Sequence, residues 1–313
     1  LFWIENLKIR KMKKEKYDAG FSVAVTACSS TLGVIIPPSI MMVVYGAMAQ
    51  VSIGKLFLAG IVPGVLIALA QMCYTYYIAR KYDYPSYPRA TAKEATVSFG
   101  KAIPTLLLPV IIIGGITTGI FTATEAAAIA VFYALVLMFI YRTLRIKDLP
   151  KLLKDTVVQY SLPMFAVACA GIMGWLIEYL HAPELVADFI TSITESSKGI
   201  FLLIVLFLLV IGTFLIPLEA IIIFLPILTK LGDIAGLDPV HLGIITCLTL
   251  ACGMVTPPYG ICLLIATQIG KISTARAFVS VLPILFITIG IIVIGVFFPE
   301  LFLFLPNTLM ADA

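Results

Sequence analysis

The chain has 313 residues, of which 61% are hydrophobic and 12% charged, and its formal net charge is +4. Soluble globular domains carry about 25% charge, so the solvent for this much apolar surface is lipid and the chain reads as a polytopic membrane protein. No Lys/Arg face is interleaved with aromatics, which argues against a nucleic-acid partner. The six cysteines (28, 73, 169, 247, 252 and 262) lack metal-ligand spacing and read as small apolar packing residues.

In chain order, Leu1–Lys16 ends in a basic cluster rather than a small-residue cleavage site, so it does not read as a signal peptide. The missing initial Met points to a fragment. An apolar segment over about 21–49 is broken at Pro37-Pro38, and a second, over about 56–79, is long enough to span. Tyr82–Lys101 is expected to be a polar loop. The apolar stretch over about 102–141 carries Gly114, Gly115 and Gly119 in its middle and reads as two helices meeting at a turn. A further span covers about 156–180. Residues 200–229 contain Gly212, Pro217 and Pro226 and read as a re-entrant hairpin. A second broken helix covers 241–268, and a last span 277–304. His181 and His241 fall in loops or helix ends, with little to suggest catalysis.

Residues 18–63 and 238–283 match without a gap at a fixed offset of 220. Asp18 pairs with Asp238, Thr26 with Thr246, Gly33 with Gly253, Pro37-Pro38 with Pro257-Pro258, and Pro63 with Pro283. The bland alternative is two unrelated Pro-kinked helices. A duplicated, Pro-interrupted helix in two halves of a membrane protein instead points to the binding site of a secondary transporter.

Basic clusters around Lys8–Lys16, Arg80–Lys101 (with Arg89) and Arg142–Lys154 are separated by pairs of crossings, so all three are expected inside. Glu184, Asp188 and Glu195 mark an outside loop. The first broken helix then starts inside and the second outside, which makes the repeats inverted. The expected fold is all-α and polytopic, with inverted repeats, Pro-Pro-broken helices and a re-entrant hairpin. Residues 1–313 are expected to form the C-terminal part of one transporter domain. Its parts are 17–80 (first broken helix and following span), 102–180 (helical hairpin and connecting span) and 200–305 (re-entrant hairpin, second broken helix and last span).

Each X-Pro-Pro break removes two donors and bars the preceding residues from helical geometry. Carbonyls around Gly33–Ile36 and Gly253–Thr256 should therefore lack helical partners. With the Thr256 hydroxyl, and Ser29, Ser30, Thr31 and Ser39 near the first break, they offer hard oxygens for an alkali cation; no transition-metal site is expected. The half-helix N-termini beyond the breaks offer N–H groups for a carboxylate. A mere kink packed by neighbours is the competing reading. Gly212-Thr213 is placed at the hairpin tip, where Gly permits close backbone approach. Glu219 is an intramembrane carboxylate and functional by default. Glu125 reads as part of a helix start with Thr122 or Thr124, or else as a site-lining acid.

The runs Tyr17-Asp-Ala-Gly-Phe21, Ser29–Gly33, Ile36-Pro-Pro-Ser39, Gly114-Gly-Ile, Gly119–Ala128, Asp238–His241 and Gly253–Gly260 resemble the large membrane subunit of TRAP transporters (tripartite ATP-independent periplasmic). That resemblance implies a bacterial inner-membrane, multi-pass, sodium-driven importer of small organic acids such as C4-dicarboxylates or sialic acid. It implies no cofactor, only sodium as coupling ion. It also implies a small TRAP membrane subunit and a periplasmic substrate-binding protein as partners. One sodium site would use the Ser29–Ile36 stretch, including Ser29, Ser30, Thr31, Gly33 and Ile36. The other would use Gly212, Gly253, Thr256 and Tyr259. Substrate is expected near Pro38, Ser39, Thr213, Glu219 and Pro258. The family usually has an acid where Ile216 stands, and Glu219 is a nearby substitute. The repeat mate of Gly212 falls at 212 − 220 = −8, so the mirror hairpin is expected upstream. The alternatives are a stand-alone sodium–carboxylate symporter and an inactive scaffold subunit. An intramembrane enzyme lacks any nucleophile–base pair within a span.

Overall fold

In the computed structural model, residues 2–85 and 90–310 are described, and every regular element among them is helical. Arg89, counted in the second basic cluster, lies outside the described residues. The helices are α1 (Phe2–Lys14), α2 (Ala19–Ile35), α3 (Ile40–Ala49), α4 (Ile53–Lys81), α5 (Ala92–Thr117), α6 (Ala123–Ile140), α7 (Leu149–Tyr179), α8 (Ala182–Ile193), α9 (Ser197–Gly212), α10 (Pro217–Ile234), α11 (Pro239–Gly253), α12 (Ile261–Gly270), α13 (Thr274–Phe297) and α14 (Pro299–Leu309). Six segments are long and apolar enough to cross a membrane, with α2 and α3 together forming one of them.

The chain divides into two compact units, one of residues up to 85 and from 170 on, the other of the residues between. In the second unit, α5 and α6 form the expected helix pair. Thr122 caps α6 and Glu125 returns its carboxylate to the Thr122 N–H at 2.8 Å. This reciprocal capping box satisfies two helix-end donors and accounts for Glu125 without a ligand. The polar loop expected over 82–101 is shorter than that. A second capping box, Thr91 with Glu94, starts α5 at Ala92, so Lys93 and Lys101 lie on a helix. Tyr133 Oη donates to the Pro104 carbonyl at 2.7 Å, where the proline interrupts the ladder of α5.

In the first unit the two repeats are built alike. Asp18 caps α2 through the Phe21 N–H, and Asp238 caps α11 through the N–H groups of Val240 and His241. Pro63 and Pro283 both sit inside the helix that follows each broken pair, α4 and α13. The repeats run in opposite senses. The start of α2 lies against the end of α12 and the start of α13: Val23 faces Gly270, Gly20 faces Ser280, and Arg276 donates to Asp18 at 2.9 Å. At the other end, Gly243 near the start of α11 packs on Tyr45 of α3 and Leu56 of α4. Between the two ends, Cys28, Thr31 and Ile35 of α2 share a small cavity with Cys252 and Val255. The residues flanking the two breaks therefore meet between the two ends of this unit.

Lipid tails are as apolar as Leu, so close packing rather than water exclusion holds such helices together. The glycines do this here. Gly60 and Gly64 let the first break lie on α4, with Met42 and Ile36 in van der Waals reach. The last expected span, 277–304, is two helices. Pro299 opens α14 at its first turn after the non-helical Phe298, and Phe302 folds back onto Gly295.

Candidate functional site

α9 has 16 residues, about 24 Å at 1.5 Å per residue, too short for a hydrocarbon layer of about 30 Å. It ends at Gly212 and, after a short turn, α10 begins at Pro217, which is the turn read from Gly212 and Pro217. α9 runs beside α11 in the same sense. Phe201 near its start meets His241 edge-on, with centroids 5.0 Å apart, and Gly212 at its end meets Gly253. A Cβ on Gly253 would collide with the Gly212 backbone, and one on Gly212 would lie 3.4 Å from Gly253 Cα. The Tyr259 N–H donates to the Thr213 carbonyl at 3.0 Å. Hairpin tip and second break are thus joined backbone to backbone, which brings Gly212, Thr213, Gly253 and Tyr259 together; the family resemblance groups Gly212, Gly253 and Tyr259 with Thr256 and sets Thr213 with the substrate.

The break is less open than the Pro-Pro rule suggests. The Gly253 carbonyl accepts from Thr256 N at 3.1 Å, Met254 O from Cys262 N at 2.9 Å, and Thr256 O from Gly260 N at 3.1 Å. The first and third of these are short-range bonds that tighten a chain turn, and the second reaches across the break to the start of α12. The expectation that these carbonyls lack any partner is corrected accordingly. The Gly253 and Thr256 carbonyls each keep a second lone pair for an ion, whereas Met254 O also accepts from Leu263 N at 3.4 Å. Both breaks contain a cis Pro–Pro bond, at 37–38 and 257–258.

The hydroxyls share one orientation. Thr256 Oγ1 donates to Cys252 O at 2.8 Å, Ser29 and Ser30 to Thr26 O at 3.0 and 2.9 Å, Thr31 to Cys28 O at 2.7 Å, and Thr213 to Val210 O at 2.8 Å. Ser39 Oγ donates across the first break to Val34 O. Every one of these protons goes to a carbonyl of the local chain, so the lone pairs are what each hydroxyl offers a ligand. That suits a cation better than an anion. Ser39, expected near the substrate, is 2% exposed, and its proton, like that of Thr213, goes to the local backbone.

The two breaks differ in their cover. Gly253 is buried under Gly212, whereas its repeat mate Gly33 is exposed, and a Cβ there would meet nothing within 4 Å. Ile36 packs on Gly64 of α4 and is 38% exposed. Glu219 lies in the first turn of α10, just past the tip, and its Oε2 is buried with no hydrogen-bond partner. Pro38 is half-buried and Pro258 exposed. Sequence reading passed over Gln71 of α4, which is 7% exposed and lines the cavity between the breaks with Thr288. The available signal was a lone amide in an apolar span. A cavity of about 480 Å³ opens between α1, α2 and α4, with Lys8 and Lys11 among its walls and Thr26 and Ser29 on the α2 side. Among the described residues no group of His, Cys, Asp and Glu could hold a metal ion.

Antiparallel repeats of a broken helix, with a hairpin tip seated on one break, are the architecture of an integral membrane transport protein. The comparisons narrow this class. Residues 4–301 match the family model for the tripartite ATP-independent periplasmic transporter, DctM component. The chain is 41% identical to the uncharacterized protein YgiK of Salmonella typhimurium over 94% of this chain and 68% of that protein. It is 37% identical to the sialic acid TRAP transporter large permease protein SiaM of Vibrio cholerae, over 96% and 71%. With the C4-dicarboxylate TRAP transporter large permease protein DctM of Pseudomonas aeruginosa it shares 36% identity, over 98% and 72%. The chain belongs to the DctM family of TRAP transporter large permease subunits, multi-pass proteins of the inner membrane.

Proposed function

We propose that the chain is the sodium-coupled transmembrane subunit of an importer for small organic acids, working with a small TRAP membrane subunit and a periplasmic substrate-binding protein. The substrate class follows the relatives, whose names give sialic acid, C4-dicarboxylates and 2,3-diketo-L-gulonate. The observation that carries the ion reading is the junction of Gly212-Thr213 with Gly253–Tyr259. It gathers backbone carbonyls and the outward lone pairs of Thr256 at mid-depth, where irregular backbone is tolerated when it lines a cavity or binds an ion. The substrate carboxylate is assigned to the N–H groups at the starts of the half-helices beyond the breaks. Lys8 and Lys11 on the wall of the cavity beside α2 would raise the local concentration of an anion. Glu219, with one oxygen unpartnered, would hold a cation near the tip.

The test is Thr256→Ala against Thr256→Ser, in the complete complex reconstituted in vesicles. Ala removes the oxygen, and Ser keeps it. The Ala variant is expected to raise the sodium concentration for half-maximal uptake about tenfold, corresponding to one lost ligand of about 1.4 kcal/mol, and Ser much less. Wild-type behaviour of both variants would mean that the hydroxyl binds no ion and that the break is only a kink.

A further inference from the structure

Away from the paired breaks, α2, the end of α4 and the start of α13 enclose a cavity of about 390 Å³. Its walls carry one carboxylate, Asp18, and four aromatic rings, Phe21, Tyr74, Tyr82 and Tyr84, with Ile78 and Val279 continuing as an apolar side. Tyr84 organises the rings, lying 5.7 Å from Phe21 and 6.1 Å from Tyr82 between centroids. Its phenol oxygen accepts from the Asp18 N–H at 3.2 Å and keeps its own proton to donate. Asp18 Oδ1 accepts from Phe21 N and Oδ2 from Arg276 Nη2, so each oxygen retains a lone pair.

The level of this cavity follows from helix length. α4 has 29 residues, about 43 Å, and exceeds a hydrocarbon layer of about 30 Å by some turns. Its last turn carries Arg80 and Lys81, and tyrosines beside such a basic end belong at the headgroup level. Lys81 Nζ sits 5.7 Å from the Tyr82 ring centroid, and Arg276 stands beside Asp18. The cavity interior is thus aromatic and acidic, its rim basic, and one side apolar. Ring faces and a carboxylate attract an ammonium, the basic rim a phosphate, and the apolar side an acyl chain.

We propose that this cavity binds the headgroup of an ethanolamine phospholipid. The ammonium lies on the tyrosine faces and donates to the remaining lone pairs of Asp18, the phosphate meets Lys81 and Arg276, and the chains descend along Ile78 and Val279. An anionic lipid without an amine would set its negative headgroup against Asp18 and offer no N–H to the carboxylate's remaining lone pairs. A choline lipid would find the rings but has no N–H for the carboxylate.

The experiment titrates the purified full chain, in detergent, with dihexanoyl phosphatidylethanolamine, phosphatidylglycerol and phosphatidylcholine and with free phosphoethanolamine, read by thermal unfolding and native mass spectrometry. The ethanolamine lipid is expected to stabilise at about tenfold lower concentration than the glycerol lipid, and Tyr82→Leu to remove about that advantage, the scale of a cation–ring contact. Tyr82 is 60% exposed, so its replacement leaves the fold intact. Tyr160→Leu, at an exposed tyrosine of the other unit, is the control and should change nothing. Free phosphoethanolamine should bind weakly, since it lacks the chains; binding equal to the lipid would reassign the cavity to a soluble amine. Equal response to the three lipids, or an unchanged advantage in Tyr82→Leu, would overturn the proposal.

Discussion

Gly253 and Gly33 occupy equivalent places in the two repeats, yet a methyl group would meet different surroundings at each. At Gly253 it runs into the Gly212 backbone, which cannot move without lifting the hairpin tip. Overpacking of this kind costs about 1–3 kcal/mol. At Gly33, inside α2, the methyl meets nothing within 4 Å, and replacing a helix-interior Gly contributes about 0.5–1 kcal/mol of stability. The two substitutions should therefore move the thermal unfolding of the purified chain in opposite directions, Gly253→Ala down and Gly33→Ala level or up. Destabilisation by both to the same degree would show that the Gly212–Gly253 contact does not set the difference. The sequence made the candidate oxygens legible, because Ser, Thr and a Pro-Pro break are visible in it. It did not show where the hydroxyl protons go, since that depends on the local turn of backbone at each position.

At the scale of elements, caps and breaks were readable and helix ends were not. The Pro-Pro breaks and the 212–217 turn appear where the residues put them, and Asp18 and Asp238, read in the sequence as a repeat pair, cap α2 and α11. The start of α5 was hidden because Ala92–Lys101 is a polar, exposed stretch of helix, which composition alone reads as loop. The Thr91–Glu94 box was the overlooked signal. The division between α13 and α14 was hidden for the opposite reason: the sequence stays apolar through Phe298, and only Pro299 at a first turn betrays a new helix. Glu125 gives a test at this scale. As a cap it acts through its side-chain oxygen on the Thr122 N–H, which an amide can replace. Glu125→Gln should leave uptake and stability close to wild type, and Glu125→Ala should lower stability without changing the sodium dependence. A shifted sodium dependence in Glu125→Gln, measured in the reconstituted complex, would return this residue to the ion pathway.

The opposed sense of the two repeats makes the whole molecule predictable across the membrane. Lys13 Nζ donates to the Gly270 carbonyl at 2.8 Å and Arg276 pairs with Asp18, so the start of the first repeat and the end of the second share one face. Both bear Lys and Arg, and the basic face is expected inside. The other face holds the loop between α3 and α4, where Ala49 and Val51 line one cavity with Leu237 and Pro239 from the start of the second repeat. The ion pair does not itself hold this arrangement. Its side chains are 62% and 46% exposed, and exposed pairs contribute little. The arrangement rests on two helices broken at half-depth and packed in opposite directions. Single cysteines placed in a background lacking the exposed Cys73 and Cys169 would map it with a membrane-impermeant thiol reagent in intact cells. Lys16→Cys and Lys271→Cys should stay unlabelled until the cells are opened, whereas Gln50→Cys and Gly236→Cys should label at once. Labelling of positions 236 and 271 from the same side would require α11 and α12 to turn back rather than cross, and the inverted relation of the two repeats would then be lost along with the mid-depth meeting of their breaks.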